Sequence, residues 1–295
     1  MSFSRSDDAA MPKPETSSLP QEVHLGRSIP RRHRFPSGDP RWWIEQTDDG
    51  SRTLVTCRRD DERPDVEAFK DPHAVTYHSG CGARSECEVV YLQHGGVHGP
   101  TEQWPQNILE VGLGTCMALL CTLDRYLDSE VPLRYVGLET LPLPIDVIKQ
   151  IYPRDESHRW KNPKLPDEFL SWYQSQSPQD GESLTWQVDS LRSVEIRIEP
   201  VQQWLQNNAS LLDTIYFDPF DPVATPDLWQ QTLFKSLYQH AHGGTRLVTY
   251  CVKSEVRRRL QTARWHVQRV PGPVGGKREV LIATPEGKDS SAPLA

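Results

Sequence analysis

The feature that most constrains this chain is an alternation running from Asn107 to Ala283, in which short apolar runs of strand character are separated by helical stretches. The strand-like runs are Asn107 to Val111, Arg134 to Leu138, Val194 to Ile198 and Thr214 to Phe217, ending at Gly112, Glu139, Glu199 and Asp218. Met117 to Tyr126, Asp227 to His240 and Ser254 to Ala263 have helical spacing, with Trp229, Leu233 and Leu237 on one side of the second. Gly244 to Tyr250, Trp265 to Val270 and Lys277 to Ala283 close the set as strands. Such alternation builds a mostly parallel sheet with helices on both faces. Ligands bind these sheets at the carboxyl ends of the strands. Three ends here carry a carboxylate and a fourth a glycine turn, so the polar groups collect along one edge.

The flanks read differently. Only 36% of the 295 residues are hydrophobic and 25 are proline, so part of the chain is expected outside the core. Residues 1–38, rich in Pro, Ser and charge, read as a disordered arm, and 286–295 as a flexible tail. Between them, 39–100 reads as a β-rich extension and 101–285 as the main domain. Asp48-Asp49-Gly50 between Trp42–Gln46 and Thr53–Cys57 signals a hairpin, with Trp42 and Trp43 buried in it, and Glu88 to Leu92 reads as a further strand. The stretch from Tyr152 to Thr185, with a short helix over Asp167 to Gln174, reads as a lid. The N-terminus lacks a secretory h-region and no apolar run approaches a membrane span. Six cysteines without a C-x-x-C pair suggest reduced thiols, so a cytoplasmic protein is expected. His78 and His94 lack metal-ligand spacing, and no metal is expected.

The segment Glu110-Val-Gly112-Leu-Gly114-Thr115 closes the first strand and opens a helix. Glycines there let a ligand approach the backbone. A dinucleotide would prefer G-x-G-x-x-G, but the third glycine position holds Met117. An acid before the loop suits S-adenosylmethionine better, a cationic cofactor without phosphate. Glu139 can take ribose hydroxyls and Glu199 can edge the adenine. Taken singly, each feature is also an ordinary turn or a helix cap. Their occurrence in order at successive strand ends favours the cofactor.

Asp218-Pro219-Phe220-Asp221-Pro222 follows the fourth strand. An amine attacks a sulfonium methyl only when neutral, with its lone pair aimed at the carbon. An acceptor such as Asp218 can orient it and take a proton, while Phe220 packs on the target base or the cofactor. The competing reading is a proline-rich turn before a helix.

The net charge of −7 argues against a surface coated for nucleic acid. Between Arg246 and Arg278, however, nine basic residues meet one acid, Glu255. That segregation suggests a local phosphate-facing strip.

These residues together resemble the methyltransferase domain of the MnmC/MnmD family. The likeness runs from about Trp43 to Pro285. It rests on Asp49-Gly-Ser-Arg-Thr-Leu54, Tyr77-His-Ser79 with Gly82-Ala83 and Glu86, Glu110 to Thr115, Tyr216-Phe-Asp-Pro-Phe220 and Pro226-Asp-Leu-Trp229. It continues through Val248-Thr-Tyr-Cys251, Glu255-Val-Arg-Arg258 and Gly275-Gly-Lys-Arg-Glu279. The resemblance implies an α/β, Rossmann-like class I S-adenosylmethionine-dependent methyltransferase. Its sheet would have seven mostly parallel strands, the last antiparallel, behind the β-rich N-terminal extension. The implied reaction converts 5-aminomethyl-uridine, often 2-thiolated, to 5-methylaminomethyl-uridine at the tRNA wobble position, releasing S-adenosylhomocysteine. The flavin oxidase half of bifunctional members has no room here, so no flavin is expected. Glu110, Gly112, Gly114, Thr115, Glu139, Glu199 and Asp218 fall on cofactor positions, and Asp218 and Phe220 on catalytic ones. Tyr77, Ser79, Glu86, Asp221, Arg257, Lys277 and Arg278 fall on the substrate side, and tRNA would bind along the basic strip. Cys116 stands where the family has glycine and would place a side chain beside the cofactor's methionine part. Asp221 would add a second acid at the target, suiting a small or polyamine-type amine. The alternatives are therefore such a small-molecule N-transferase, or a degenerate domain that only binds.

Overall fold

The computed structural model describes residues 33–56, 75–176 and 182–289. Arg34–Pro36 (β1), Trp42–Gln46 (β2), Arg52–Thr56 (β3) and Val75–Thr76 (β4) form an antiparallel sheet in that order. The expected hairpin joins β2 to β3. Gly50 takes φ +81° at its tip, and the Asp49 carboxylate accepts the Thr47 hydroxyl and the Ser51 N–H, both at 2.9 Å. Strand β1 falls inside the stretch expected to be a disordered arm, where Phe35 pairs with Ile44. The rest of that arm, residues 1–32, lies outside the described residues, as do Cys57 and 290–295.

Ala83–Glu86 (α1) runs on into a π-helical turn, Cys87–Gln93. The strand expected over Glu88 to Leu92 is therefore helical. Its apolar run is too short for periodicity to separate a strand from a buried helix.

The main sheet contains Asn107–Val111 (β5), Leu133–Leu138 (β6), Ser183–Gln187 (β7), Arg192–Arg197 (β8), Leu212–Phe217 (β9), Ala241–Thr249 (β10), Trp265–Pro271 (β11) and Glu279–Pro285 (β12). Their order is β11-β12-β10-β9-β5-β6-β8-β7. The central strands β8, β6, β5, β9 and β10 are parallel, and β12 runs antiparallel between β10 and β11, as expected of the last strand. The sheet has eight strands rather than seven, because β7 adds an antiparallel edge beside β8.

Met117–Tyr126 (α2), Ile145–Ile151 (α3) and Leu165–Ser175 (α4) pack with the small sheet on one face. Val201–Asn207 (α5), Gln231–Gln239 (α6) and Ser254–Thr262 (α7) cover the other. The period of two along each strand sorts the core. Ile108, Tyr135 and Tyr216 face the first layer, while Leu109, Val136 and Ile215 face the second. The helix expected over Asp227 to His240 is broken, since Pro226–Trp229 is a 3₁₀ turn and α6 begins at Gln231. The stretch read as a lid is built into the core. Phe169 of α4 is fully buried, and the Tyr173 hydroxyl donates to the Leu143 carbonyl at 2.9 Å.

Cys116 precedes α2 with φ 63° and ψ 21°, a left-handed conformation that glycine adopts freely and other residues rarely. Its side chain is buried in the core cluster and does not line the cavity described below, contrary to the position expected for it. The departure from glycine therefore loads the backbone and leaves the ligand side clear. Cys116→Val should destabilise the chain by about 2–3 kcal/mol in urea titrations, combining left-handed strain at a β-branched residue with core overpacking. Cys116→Gly should stay within about 1 kcal/mol of wild type, since relief of strain offsets the lost side chain.

Candidate active site

Parallel pairing sets Val111 of β5 level with Leu138 of β6 and Phe217 of β9. The next residues of the three strands, Gly112, Glu139 and Asp218, therefore meet at one edge. Gly112 holds φ +88° and donates its N–H to the Leu138 carbonyl at 3.0 Å, while the Asp218 N–H donates to the Val111 carbonyl at 2.9 Å. A Cβ on Gly112 would lie 2.7 Å from the Asp218 carbonyl oxygen. Gly114, at φ +50°, passes under the Tyr77 ring, 3.1 Å from where its Cβ would sit. The space above these turns is a cavity of about 770 Å³.

Among the described residues five carboxylates line it: Glu86, Glu110, Glu139, Asp218 and Asp221. Glu139 is held by three backbone donors, Gly114 N–H at 3.1 Å, Thr140 N–H at 2.9 Å and Leu141 N–H at 3.0 Å. Burial raises its pKa against the pull of those bonds. Glu110 is almost fully buried and takes the Tyr135 hydroxyl at 2.6 Å; burial holds its carboxyl well above the ordinary range. Asp218 is also raised well above that range by burial, with Glu86 adding to the rise and Tyr91 and Lys277 opposing it. Glu86 accepts the Ser79 N–H at 2.6 Å. Its helix is tied to the hairpin tip by Asp49, which takes the Ser85 N–H at 2.8 Å and hydroxyl at 2.7 Å. Burial works to raise Asp49, but bonds from Ser51 and Ser85 outweigh it, and its pKa is lowered. Asp221 accepts the Val223 and Ala224 N–H groups at 2.7 and 3.0 Å, capping its own loop.

The Asp-Pro-Phe turn is fixed from behind. The Phe220 carbonyl accepts the Trp229 indole at 2.8 Å and the Thr225 hydroxyl at 2.6 Å, and the Pro219 carbonyl accepts the Tyr250 hydroxyl at 2.9 Å. The Phe220 ring meets Tyr77 edge-on at 5.0 Å. Burial, with Glu139 nearby, pushes the Tyr77 phenol up to about 12. Among the described residues Lys277 is the one Lys or Arg on the cavity wall, and its ammonium lies 3.8 Å from the Tyr250 ring centroid. Burial lowers its pKa against the pull of Glu86, Cys251, Asp218 and Asp221.

The cavity thus gathers Tyr77, Ser79, Glu86, Glu110, Gly112, Gly114, Thr115, Glu139, Asp218, Phe220, Asp221 and Lys277 of the residues singled out in the sequence. Glu199, Arg257 and Arg278 are not on its wall. Glu199 pairs with Arg197 at 2.6 Å and keeps its other oxygen buried without a partner. Arg257 donates to the Ser254 hydroxyl at 3.0 Å. Sequence reasoning passed over Tyr250 and Leu141 of the wall, and gave His78 no role there. His78 is paired to the Thr53 hydroxyl at 3.1 Å, and burial lowers its pKa. Part of the basic strip is engaged internally. Arg259 donates to the Trp229 carbonyl at 2.9 Å, and Arg269 pairs with Glu279 at 3.1 Å. Trp42 is buried in the hairpin, as expected. Among the described residues no cluster of three His, Cys, Asp or Glu could hold a metal ion, and no helix is long and apolar enough to cross a membrane.

The wall suits a cationic group without phosphate. Five acids face one ammonium, the backbone at Gly112 leaves a cradle that a Cβ would fill, and the Thr115 hydroxyl is buried without a partner. A sequence profile of S-adenosyl-L-methionine-dependent methyltransferases matches residues 171–286. The tRNA 5-methylaminomethyl-2-thiouridine biosynthesis bifunctional protein MnmC of Idiomarina loihiensis is 29% identical over 205 residues, covering 66% of this chain and 33% of that protein. Its Delftia acidovorans counterpart is 29% identical over 224 residues, covering 75% and 34%. The chain therefore spans about a third of the length of these relatives. Among solved structures, MnmC2 of Aquifex aeolicus superposes with a TM-score of 0.59 at 17% identity, covering 82% of this chain and 69% of that one, a likeness of fold.

Proposed function

We propose that this chain, which is similar to S-adenosylmethionine-dependent methyltransferase domains of the MnmC kind, methylates the primary amine of a 5-aminomethyl-uridine, thiolated or not, at the tRNA wobble position. The observation that carries this reading is the Asp218-Pro219-Phe220 turn, clamped beside a cavity rich in carboxylates. S-adenosylmethionine supplies an electrophilic methyl on a sulfonium. Glu139 would take the ribose hydroxyls, its oxygens already oriented by backbone donors. Glu110, Thr115 and the Gly112–Gly114 turn would face the methionine part. The substrate amine arrives protonated, and the acidic wall attracts it. Asp218 accepts that proton and then holds the neutral amine by hydrogen bond, and its raised pKa makes its carboxylate a stronger base than an ordinary one. Phe220 and Tyr77 offer an edge and a face to the base. Arg257, Lys277 and Arg278 would meet phosphates.

Two features weigh against the competing readings. Asp221 caps its own loop, with Lys253 3.9 Å away, so it is no free receptor for a polyamine. Cys116 leaves the cradle clear, so it gives no ground for a domain that only binds.

The test is transfer of labelled methyl from S-adenosylmethionine to tRNA from cells lacking this protein, with nucleoside mass spectrometry. Label on the wobble aminomethyl-uridine is expected. If tRNA stays unlabelled while small amines react, the substrate assignment is wrong. The double variant Arg257→Ala/Arg278→Ala should raise the KM for tRNA and flatten the salt dependence of binding by about one log-log unit per lost phosphate contact, with kcat little changed.

A further inference from the structure

Beneath the floor of the cavity, on the first core face, lies a row of buried tyrosines. Tyr135 of β6 and Tyr216 of β9 flank β5 on either side, their rings 6.1 Å apart. Tyr91 comes from the π-helical turn, its ring 5.4 Å from that of Tyr216. The two outer members stand under two acids of the site, Glu110 and Asp218. Tyr135 donates to Glu110 at 2.6 Å. Tyr91, 1% exposed, turns its hydroxyl toward the Asp218 carboxylate. In the resting structure no acceptor closes to hydrogen-bonding geometry with that hydroxyl. A buried hydroxyl without a partner costs on the order of 1–3 kcal/mol, so its retention calls for a reason. The middle tyrosine has no such position, since its hydroxyl reaches Thr122 Oγ1 at 3.5 Å.

The segment that bears Tyr91 is itself unusual. Single π-helical turns are uncommon and tend to occur at functional sites, where they re-aim side chains. Here the turn follows directly on Glu86, so one short segment brings Glu86 to the cavity wall and Tyr91 under its floor.

We propose that Tyr91 is the positioning residue of Asp218: its O–H closes onto one carboxylate oxygen when substrate is bound, leaving the other oxygen aimed at the amine. Such bonds are often long in the free enzyme and tighten in the complex. The donated bond favours the ionised carboxylate and so keeps Asp218 a competent base despite burial. The other groups facing Asp218 are Glu86 from α1, Cys87 from the π-helical turn, Glu110 at the end of β5, Tyr250 after β10 and Lys277 before β12. Glu86 opposes ionisation and Lys277 favours it. Tyr91 is a neutral donor, and unlike the Tyr250 hydroxyl, which donates to the Pro219 carbonyl, its own is not committed elsewhere, so its removal tests the idea without changing formal charge.

The inference rests on Asp218 being the base of the proposed reaction, so its test has a readout that does not depend on substrate. The full chain is labelled with carboxyl-carbon-13 aspartate, and Asp218 is assigned by the resonance lost in Asp218→Asn. In Tyr91→Phe the titration midpoint of Asp218 should move to higher pH even without substrate, because the hydroxyl aimed at the carboxylate already favours its ionised form in the free chain, while the melting temperature holds or rises because a hydroxyl short of a full hydrogen bond is gone. In Tyr216→Phe, which removes the middle hydroxyl of the same row, the midpoint should not move. With tRNA as substrate, Tyr91→Phe should lower kcat at neutral pH about tenfold with KM unchanged, and shift the acid limb of the pH profile upward. An Asp218 midpoint unmoved by Tyr91→Phe, or moved equally by Tyr216→Phe, overturns the proposal. If wild type methylates no tRNA, the substrate reading fails, and the carboxyl titration still decides the role of Tyr91.

Discussion

Asp218→Asn should lower turnover by about a thousandfold while leaving the affinity for S-adenosylmethionine within a few-fold of wild type. The asparagine keeps the shape of the turn, because that shape is held by the backbone. The Asp218 N–H bonds to the Val111 carbonyl, and the following carbonyls of Pro219 and Phe220 are held by Tyr250, Trp229 and Thr225. What is lost is an acceptor that can take a proton. The same substitution should leave the folded chain as stable or more stable, with a definite dependence on pH. Folding raises the Asp218 pKa, so the folded chain holds that proton more tightly than the unfolded one. Stability therefore falls as pH rises from the ordinary carboxylate range through the raised value, and the loss is complete above it. Removing the carboxyl removes that loss, so the melting temperature of Asp218→Asn should gain on wild type at pH 8 and match it at pH 4. Calorimetry gives the cofactor affinity and thermal melts at the two pH values give the stability. Loss of turnover together with a lower melting temperature at pH 8 would assign Asp218 to structure instead. Stability given up at a working residue is the usual trade at an active site.

The meeting of Gly112, Glu139 and Asp218 was legible in the sequence because it needs only strand order and parallel pairing. Once β5, β6 and β9 are parallel and each ends at the same level, the next residues converge. What could not be read is what depends on distant partners or on backbone handedness. Val89-Val90-Tyr91-Leu92 satisfies a strand or a buried helix equally, and only packing against α2 and the main sheet decides it. With the strand reading, Tyr91 could not be placed under Asp218, 127 positions away in the chain. Strand β7 was hidden in a proline-rich stretch, where the alternation of Leu184 and Trp186 is too brief to stand out. Glu199 carried a local signal that was missed. Arg197 two residues earlier lies on the same face of an extended chain, and the pair closes on itself. The conformation of Cys116 leaves no mark in composition or periodicity, because a left-handed residue is defined by its backbone alone.

Gly112→Ala should abolish cofactor binding and destabilise the fold by about 3 kcal/mol or more. Two costs combine. A φ of +88° strains any residue with a Cβ, by about 1–2 kcal/mol. The new methyl would also lie 2.7 Å from the Asp218 carbonyl oxygen and 3.1 Å from Pro219 Cα. Those neighbours are backbone atoms held by Tyr250 and by the Val111 carbonyl, so they cannot swing aside as a long side chain would. The two costs separate experimentally with Gly99→Ala. Gly99 has φ +71°, and nothing lies within 4 Å of its added Cβ, so it reports the backbone strain alone. Urea titrations should show about 1 kcal/mol lost at Gly99 and at least twice that at Gly112, with calorimetric heat from S-adenosylmethionine kept in the first and gone in the second. Equal losses at the two positions would mean that the Asp218 turn can retreat, and that the close approach of β5 to β9 is not what shapes the cavity. The expected inequality ties the cradle to the Asp218 turn, since the glycine proposed to admit the cofactor is also the one on which Asp218 rests.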